Sequence, residues 1–257
     1  MGIVNVTPDS FSDGGRHLDP AVAAAAARRM LDEGAAIVDV GGESTRPGSE
    51  GVTLDEELRR VVPVLELLDG APVSIDTSKA EVARRALALG AELVNDVTAL
   101  RGDPELAGVV AATGALLCLV HMRGEPRTMQ HDPVYGDVVS EVAAFLEERL
   151  AFAVAAGIPE ERICLDPGIG FGKTVAHNLE LLRRLDELTR LGRPVLVGIS
   201  RKRVLGRLLG DAYATTGTTA ASVGAAVAAF ERGASIFRAH DVRDHVEALA
   251  AASAVLA

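Results

Sequence analysis

The sequence has no tryptophan and only two tyrosines and six phenylalanines, so aromatic residues make up 3% of its 257 residues. Because 48% of the chain is hydrophobic, its core must be built from Val, Leu, Ile and Ala. Two cysteines, Cys118 and Cys164, each inside an apolar run, are too few for a disulfide framework and read as buried reduced thiols, as in a cytoplasmic protein. No basic segment followed by an apolar one opens the chain as a secretion signal would. No uninterrupted apolar stretch reaches the roughly 20 residues of a membrane helix, so no membrane partner is expected. Cations are outnumbered, 26 against 36 acidic residues, for a formal charge of −10. That balance argues against a nucleic-acid surface, which wants a basic face. Lysine is the scarcest cation: Lys79, Lys173 and Lys202 are the only three, which leaves 26 − 3 = 23 arginines. All three follow short apolar runs. Lysine is a compact, tunable point charge that arginine does not imitate, so the pattern favours a functional role for at least one of them.

What the chain does have is alternation. Short apolar runs at Ile3–Val6, Ala36–Val40, Val73–Ile75, Leu93–Val94, Leu116–Val120, Ile163–Leu165, Val195–Ile199 and Ser235–Arg238 read as strands. Helical patterns follow at Pro20–Glu33, Leu54–Leu68, Ala80–Leu89, Pro104–Ala112, Val138–Ala156, His177–Arg190, Lys202–Leu209 with Thr218–Arg232, and Val242–Leu256. Gly-Ala pairs at 34–35, 90–91, 114–115 and 233–234 stand where helices should stop and strands begin. With no linker or low-complexity segment, the expectation is one α/β domain over residues 1–257, a (β/α)8 TIM barrel, with a doubly wound open sheet as the alternative.

Polar residues follow every apolar run, and in a barrel all those strand ends open onto one face. Strand six runs into Asp166-Pro167-Gly168-Ile169-Gly170-Phe171-Gly172-Lys173-Thr174. Its end resembles a phosphate loop, but that loop needs a glycine five places before Gly172, where Pro167 stands. Helix capping accounts for Ser78, Asp96, Asp241 and Ser44. It accounts less well for Asp76 and Asp166, carboxylates against an aliphatic core that are costly to bury without a partner or ligand.

The strand-end groups divide by chemistry. Asp76, Asn95, Asp166 and Lys202 offer acceptors and donors suited to a flat heterocycle rich in N–H groups, since a carboxylate takes two parallel hydrogen bonds from an amidine-like edge. Asn5, Thr45, Arg46, Arg238 and His240 are cations and neutral donors suited to phosphate oxygens, and the end of strand eight lies beside the usual barrel phosphate site. A heterocycle carrying a diphosphate would span both.

On these residues the chain resembles the dihydropteroate synthase family. The stretches that carry the resemblance are Asn5-Val6-Thr7-Pro8-Asp9-Ser10-Phe11-Ser12-Asp13-Gly14-Gly15, Gly41 to Gly48, Asp76-Thr77-Ser78-Lys79, Asn95-Asp96, Asp166 to Lys173, Ser200-Arg201-Lys202 and Arg238-x-His240-Asp241. The resemblance implies a transferase of folate biosynthesis that condenses a pterin diphosphate with 4-aminobenzoate, using Mg2+, to give dihydropteroate and pyrophosphate. It implies that Asp76, Asn95, Met122, Asp166 and Lys202 hold the pterin. Asn5, Thr45, Arg46, Arg238 and His240 would hold the diphosphate, with Asn5 also reaching the metal. Pro47, Phe171, Lys202 and Arg203 would form the aminobenzoate pocket where sulfonamides compete. Asp76, Lys202, Arg238 and His240 are the expected catalytic set, and Asp76 is the candidate anion beside a developing pterin cation.

Three features depart from the family pattern. Met1 leads straight into strand one, where relatives usually carry a preceding hairpin segment. Ala214-Thr215-Thr216-Gly217-Thr218 replaces an acidic-basic pair, and Arg203 stands where many relatives carry Ser. The helix after Thr218 is apolar nearly all round and is expected to face a second subunit in a homodimer. His17, His131, His177 and His245 are given no role, and His245 is expected at the surface. The competing readings are a methyltetrahydrofolate-type methyltransferase domain, a non-catalytic pterin-binding paralogue, and an aldolase-like phosphate-binding barrel.

Overall fold

The computed structural model describes residues 1–7, 19–46 and 48–256. Pro47, His17 and the part of the first motif beyond Thr7 lie outside the described residues. Six strands form one parallel sheet in sequence order: β1 (Gly2–Asn5), β2 (Val38–Gly41), β3 (Val73–Asp76), β4 (Leu93–Asp96), β5 (Leu116–Val120) and β6 (Ile163–Asp166). The pair β7 (Leu196–Val197) and β8 (Ile236–Phe237) completes the set of eight. Parallel bridges from Leu165 to Val195 and from Gly2 to Ala239 carry the order from β6 to β7 and from β8 back to β1. Ile3 N donates to Ala239 O at 3.1 Å, and Ala239 N to Met1 O at 2.9 Å. The fold is the expected (β/α)8 barrel.

The strands are buried on both faces, as parallel strands under helices must be, so they are near-continuous aliphatic runs. Val38, Val40, Ile75 and Leu117 are fully buried among the helices. A smaller cluster fills the barrel interior, with Leu93, Cys118, Cys164 and Leu196 at its centre and Met122 toward the top. Cys118 and Cys164 are register partners on β5 and β6, free and buried, as the scarcity of cysteine predicted.

The helices are α1 (Pro20–Asp32), α2 (Leu54–Leu67), α3 (Ala80–Ala88), α4 (Leu106–Thr113), α5 (Val138–Ala155), α6 (Val175–Arg183), α7 (Leu185–Thr189), α8 (Arg203–Leu208), α9 (Thr219–Phe230) and α10 (Val242–Leu256). Asp19, Thr53, Asp137, Thr174 and Thr218 cap five of them by accepting a backbone N–H of the first turn. The four Gly-Ala pairs fall at helix ends as read, each glycine at positive φ.

Two boundaries differ from expectation. The helix predicted over His177–Arg190 is two helices, because Arg184 leaves the helical region (φ −108°, ψ 29°) and its guanidinium grips Glu187 and Asp137. Strands seven and eight are shorter than their apolar runs. Arg238 N still donates to Val197 O at 3.1 Å, so pairing continues one residue beyond the regular ladder. His245 is buried rather than at the surface: the first turns of α10 turn it inward, and its Nδ1 sits 2.7 Å from Asp241 O.

Candidate active site at the C-terminal ends of the strands

Side chains of successive strand residues alternate, so Val38 and Val40 face the helices while Asp39 between them points into the barrel. There it is fully buried, and its carboxylate gathers three donors: Ser74 Oγ at 2.6 Å, Asn95 Nδ2 at 2.9 Å and Arg238 Nε at 2.6 Å. Arg238 uses its other face on Asp76, with Nη2 2.8 Å from Oδ2. One guanidinium thus ties the ends of β2, β3 and β8 together, and its protonated form is strongly favoured by both carboxylates despite the cost of burial. Sequence reasoning gave Asp39 no role. The signal was available, since a carboxylate between two valines of a central strand must find partners inside.

The same contact fixes Asn95. Its amide must turn the NH2 toward the accepting carboxylate, which leaves Oδ1 facing away. That oxygen is buried and meets no hydrogen-bond partner among the described residues. A buried acceptor without a donor is costly in a folded protein unless a ligand supplies one. Asp96, the neighbouring carboxylate, is different in kind. It accepts from Thr98 N, Thr98 Oγ1 and Leu100 N, at 2.8, 2.7 and 2.6 Å, and so holds the turn after β4 rather than capping a helix as expected, since α4 starts only at Leu106.

Asp76 and Asp166 end β3 and β6. Burial pushes Asp76 up, to about 7, with Arg238 pulling down and Asp39, Glu57 and Asp96 adding to the rise. Burial also raises Asp166, against the pull of Lys202 and Lys173, and its Oδ1 accepts from Gly168 N at 2.6 Å. Lys202, just before α8, reaches back over the barrel. Its Nζ donates to Ile169 O and stands 4.6 Å from the centre of the Phe171 ring. Burial lowers it to about 8, although Asp166 opposes the shift. Gly198 forms the floor between them: a Cβ there would lie 3.9 Å from both Asp166 Oδ2 and Lys202 Nζ.

The remaining candidates ring this floor. Asn5 ends β1 opposite Gly41. Thr45 and Arg46 lie on the loop after β2, which Ser49 Oγ fastens by donating to Ser44 O and Arg46 O. Gly48 N donates to Pro126 O at 3.0 Å and so docks that loop against the one after β5. A cleft opens there, lined by Thr45, Asp76, Met122 and Pro126 among others. His240 Nδ1 lies 3.1 Å from Ser200 Oγ, and burial with Arg238 and Arg201 nearby lowers it to about 3, so the ring is neutral. Arg203 opens α8, partly exposed, its ionised form disfavoured by burial and by Arg207.

Two of the three scarce lysines prove to be internal fasteners. Lys79 Nζ donates to Glu43 on the loop after β2 and to the fully buried Glu57 of α2, whose other oxygen accepts from Thr77 Oγ1 at 2.6 Å. Lys173 is buried behind the glycine turn. Only Lys202 faces the site floor beside the carboxylates. The two groups separated by chemistry in the sequence are also not apart in space, because Arg238 contacts Asp76 directly and Asn95 through Asp39.

Residues 1–240 match the family described as pterin binding enzymes. Over 261 residues the chain is 46% identical to the dihydropteroate synthase of Escherichia coli strain K12, covering 100% of this chain and 91% of that protein. A crystal structure of Yersinia pestis dihydropteroate synthase with a sulfonamide drug complex superposes with a TM-score of 0.95 at 46% identity, covering 100% of this chain and 93% of that one. The Xanthomonas albilineans dihydropteroate synthase in complex with 7,8-dihydropteroate superposes with a TM-score of 0.87 at 46% identity, again covering 100% and 93%.

Proposed function

The chain belongs to the family of pterin-binding enzymes, and we propose that it carries out the dihydropteroate synthase reaction. In that reaction 6-hydroxymethyl-7,8-dihydropterin diphosphate and 4-aminobenzoate give 7,8-dihydropteroate and pyrophosphate, in folate biosynthesis. The observation that carries the reading is the buried, unpartnered Oδ1 of Asn95, oriented by Asp39 and set among Asp76, Asp166 and Lys202. That set of acceptors and one donor matches the N–H-rich edge and the ring carbonyl of a pterin. The relatives bind dihydropteroate and a sulfonamide, which agrees with a second pocket for an aminobenzoate at Phe171, Lys202, Arg203 and Pro47.

The chemistry needs no protein nucleophile. The bond from the exocyclic methylene carbon to the bridging oxygen breaks, and its electron pair leaves with the pyrophosphate. The resulting cation is delocalised over the pterin. The amine nitrogen of aminobenzoate then attacks the methylene carbon and gives up a proton, so product, pyrophosphate and one proton balance the reactants. Asp76 places a carboxylate beside the developing cation, and a preorganised charge of this kind favours the transition state more than the ground state. Arg238 holds Asp76 in place and stands ready beside the leaving group, with Arg46, Thr45 and the neutral His240 as further donors to its oxygens.

Asn5 offers one neutral oxygen at the end of β1, and among the described residues no three His, Cys, Asp or Glu side chains form a metal cage. One amide oxygen suits Mg2+, which keeps most of its waters and is held largely by substrate phosphates. Bound there, the ion would supply screening of the charge on the departing pyrophosphate. A methyltetrahydrofolate-type methyl transfer would leave Arg46, Arg238 and His240 without a use.

We take residues 1–257 as one such domain, cytoplasmic and homodimeric. Among the described residues no helix is long and apolar enough to cross a membrane. α9 has no charged residue, and Ala220 and Gly224 lie exposed on its outer side, the face offered to a second subunit. A single-chain mass by light scattering at micromolar concentration would remove the dimer. Release of pyrophosphate from the pterin diphosphate tests the function: it should require both 4-aminobenzoate and Mg2+, whereas tight pterin binding without release would mark a silent paralogue.

A further inference from the structure

Lys173 is 2% exposed, and among the described residues no carboxylate stands at ion-pair distance from its Nζ. Instead Nζ meets Gly168 O at 2.9 Å, Phe171 O at 3.1 Å and His121 Nδ1 at 2.8 Å, with His121 O farther off at 3.5 Å. Burial and the nearby Lys173 drive the His121 ring down to about 2, so it is neutral and its Nδ1 serves as an acceptor. Three polar atoms therefore surround Nζ closely, and burial pushes its charged form down, well below the usual lysine range. Two of those belong to the glycine turn after β6 and one to the segment after β5.

The two segments lie back to back with no room for side chains. A Cβ on Gly168 would fall 1.8 Å from His121 O, and one on Gly172 would fall 2.3 Å from Arg123 O. Both glycines also sit at positive φ, 67° and 64°. Such a backbone does not hold its own shape, because each glycine has wide conformational freedom. Within the turn, Phe171 N donates to the same Gly168 O that Lys173 grips. The Asp166 backbone is anchored separately, by strand pairing and by His121 N donating to its carbonyl at 2.9 Å, while its carboxylate accepts from Gly168 N of the turn.

We propose that Lys173 is a positioning residue for the second substrate: its Nζ fastens the glycine turn to the segment after β5 and so fixes the Phe171 ring beneath Lys202. This rests on the reading of Phe171 and Lys202 as walls of the aminobenzoate pocket. Because the Asp166 backbone has its own anchors and Asp76 and Asn95 stand on other strands, loss of Lys173 displaces Phe171 more than the pterin contacts, of which only the Asp166 carboxylate and Lys202 touch the turn, at Gly168 N and Ile169 O. The effect is therefore selective between the two substrates, which a general loss of stability is not.

Lys173→Met keeps the apolar stem and removes the donors, while Lys173→Gln keeps donors for part of the set. With Lys173→Met the KM for aminobenzoate should rise about tenfold or more, the effect of one or two buried acceptors left unpaired, with kcat and the KM for pterin diphosphate within about threefold. Lys173→Gln should fall between. Proportional losses for both substrates, or no change in either, would overturn the proposal. Should neither variant fold, the unsubstituted chain still decides. Its three lysines give three side-chain nitrogen resonances on 15N labelling. Lys173 Nζ should carry slowly exchanging protons and show scalar coupling to His121 Nδ1, and the Phe171 amide should be protected without any ligand. A rapidly exchanging Lys173 or an unprotected Phe171 amide would refute the clamp. If the unsubstituted chain makes no dihydropteroate, the functional reading fails, and these ligand-free measurements still judge the clamp.

Discussion

Asp39 organises the floor of the site, and two substitutions there separate its charge from its geometry. In Asp39→Asn the amide can turn its oxygen toward Arg238 and Asn95 and its NH2 toward Ser74, whose hydroxyl can rotate to accept. Shape and the orientation of Asn95 survive. What is lost is charge assistance on three buried bonds, at 2.6, 2.9 and 2.6 Å. A hydrogen bond to a charged group contributes about 1.5–3 kcal/mol and a neutral one about 0.5–1.5, so the three together lose about 3–4 kcal/mol. For a chain of this size that lowers Tm by about 6–16 °C. Pterin affinity should stay within about threefold, since nothing that faces the ligand has turned. Asp39→Leu fills similar space but gives Asn95 no acceptor to orient it and removes one of the two carboxylates beside a buried guanidinium. Stability should fall by about 3–5 kcal/mol, the cost of breaking a buried ion pair. Pterin affinity should fall by at least about thirtyfold, because a freely turning amide no longer presents its oxygen. Thermal unfolding and calorimetric titration with the pterin diphosphate read both quantities. If Asp39→Leu binds pterin as well as the unsubstituted chain does, Asn95 is not oriented by Asp39 and the reasoning is wrong.

Asp76→Asn removes the anion beside the developing cation. Single-turnover rates should fall about 100-fold or more while pterin affinity stays within about fivefold, and equal losses in both would contradict its transition-state role. The pH dependence follows from two groups. Asp76 is needed ionised and titrates near 7, so kcat/KM should fall as pH drops below about 7; Lys202 is needed protonated and titrates near 8, so it should fall again above about 8. Asp76→Asn should abolish the acidic limb and Lys202→Met the alkaline one, and a limb that persists belongs to another group. Arg203→Ser should raise the KM for aminobenzoate about two- to fivefold, the effect of a partly exposed charge, and an unchanged KM would show that its side chain does not reach the carboxylate.

The barrel was legible because its strands are short aliphatic runs, four of them preceded by Gly-Ala pairs, signals that depend only on neighbours in sequence. Asp76, Asn95 and Asp166 were legible for a related reason: each ends a run where a polar group has no local justification. Asp39 was passed over because it stands inside a run rather than at its end, and its partners Ser74, Asn95 and Arg238 lie on three other strands. The scarcity of lysine drew attention to all three, but it could not separate Lys202, beside the carboxylates, from Lys79 and Lys173, which fasten loops. That distinction depends on which way a side chain turns once the barrel is assembled. His245 was misread for the same reason, since helical spacing says which residues share a face and not which face is inward.

The proposed reaction is tested most directly at the bond between methylene carbon and bridging oxygen. The chain should be incubated with Mg2+, 15N-labelled 4-aminobenzoate and a pterin diphosphate carrying 18O at the bridging position, and both products weighed by mass spectrometry. The account predicts 7,8-dihydropteroate containing the 15N and pyrophosphate containing the 18O. Retention of the 18O on a hydroxymethylpterin, with no 15N joined to it, would contradict it.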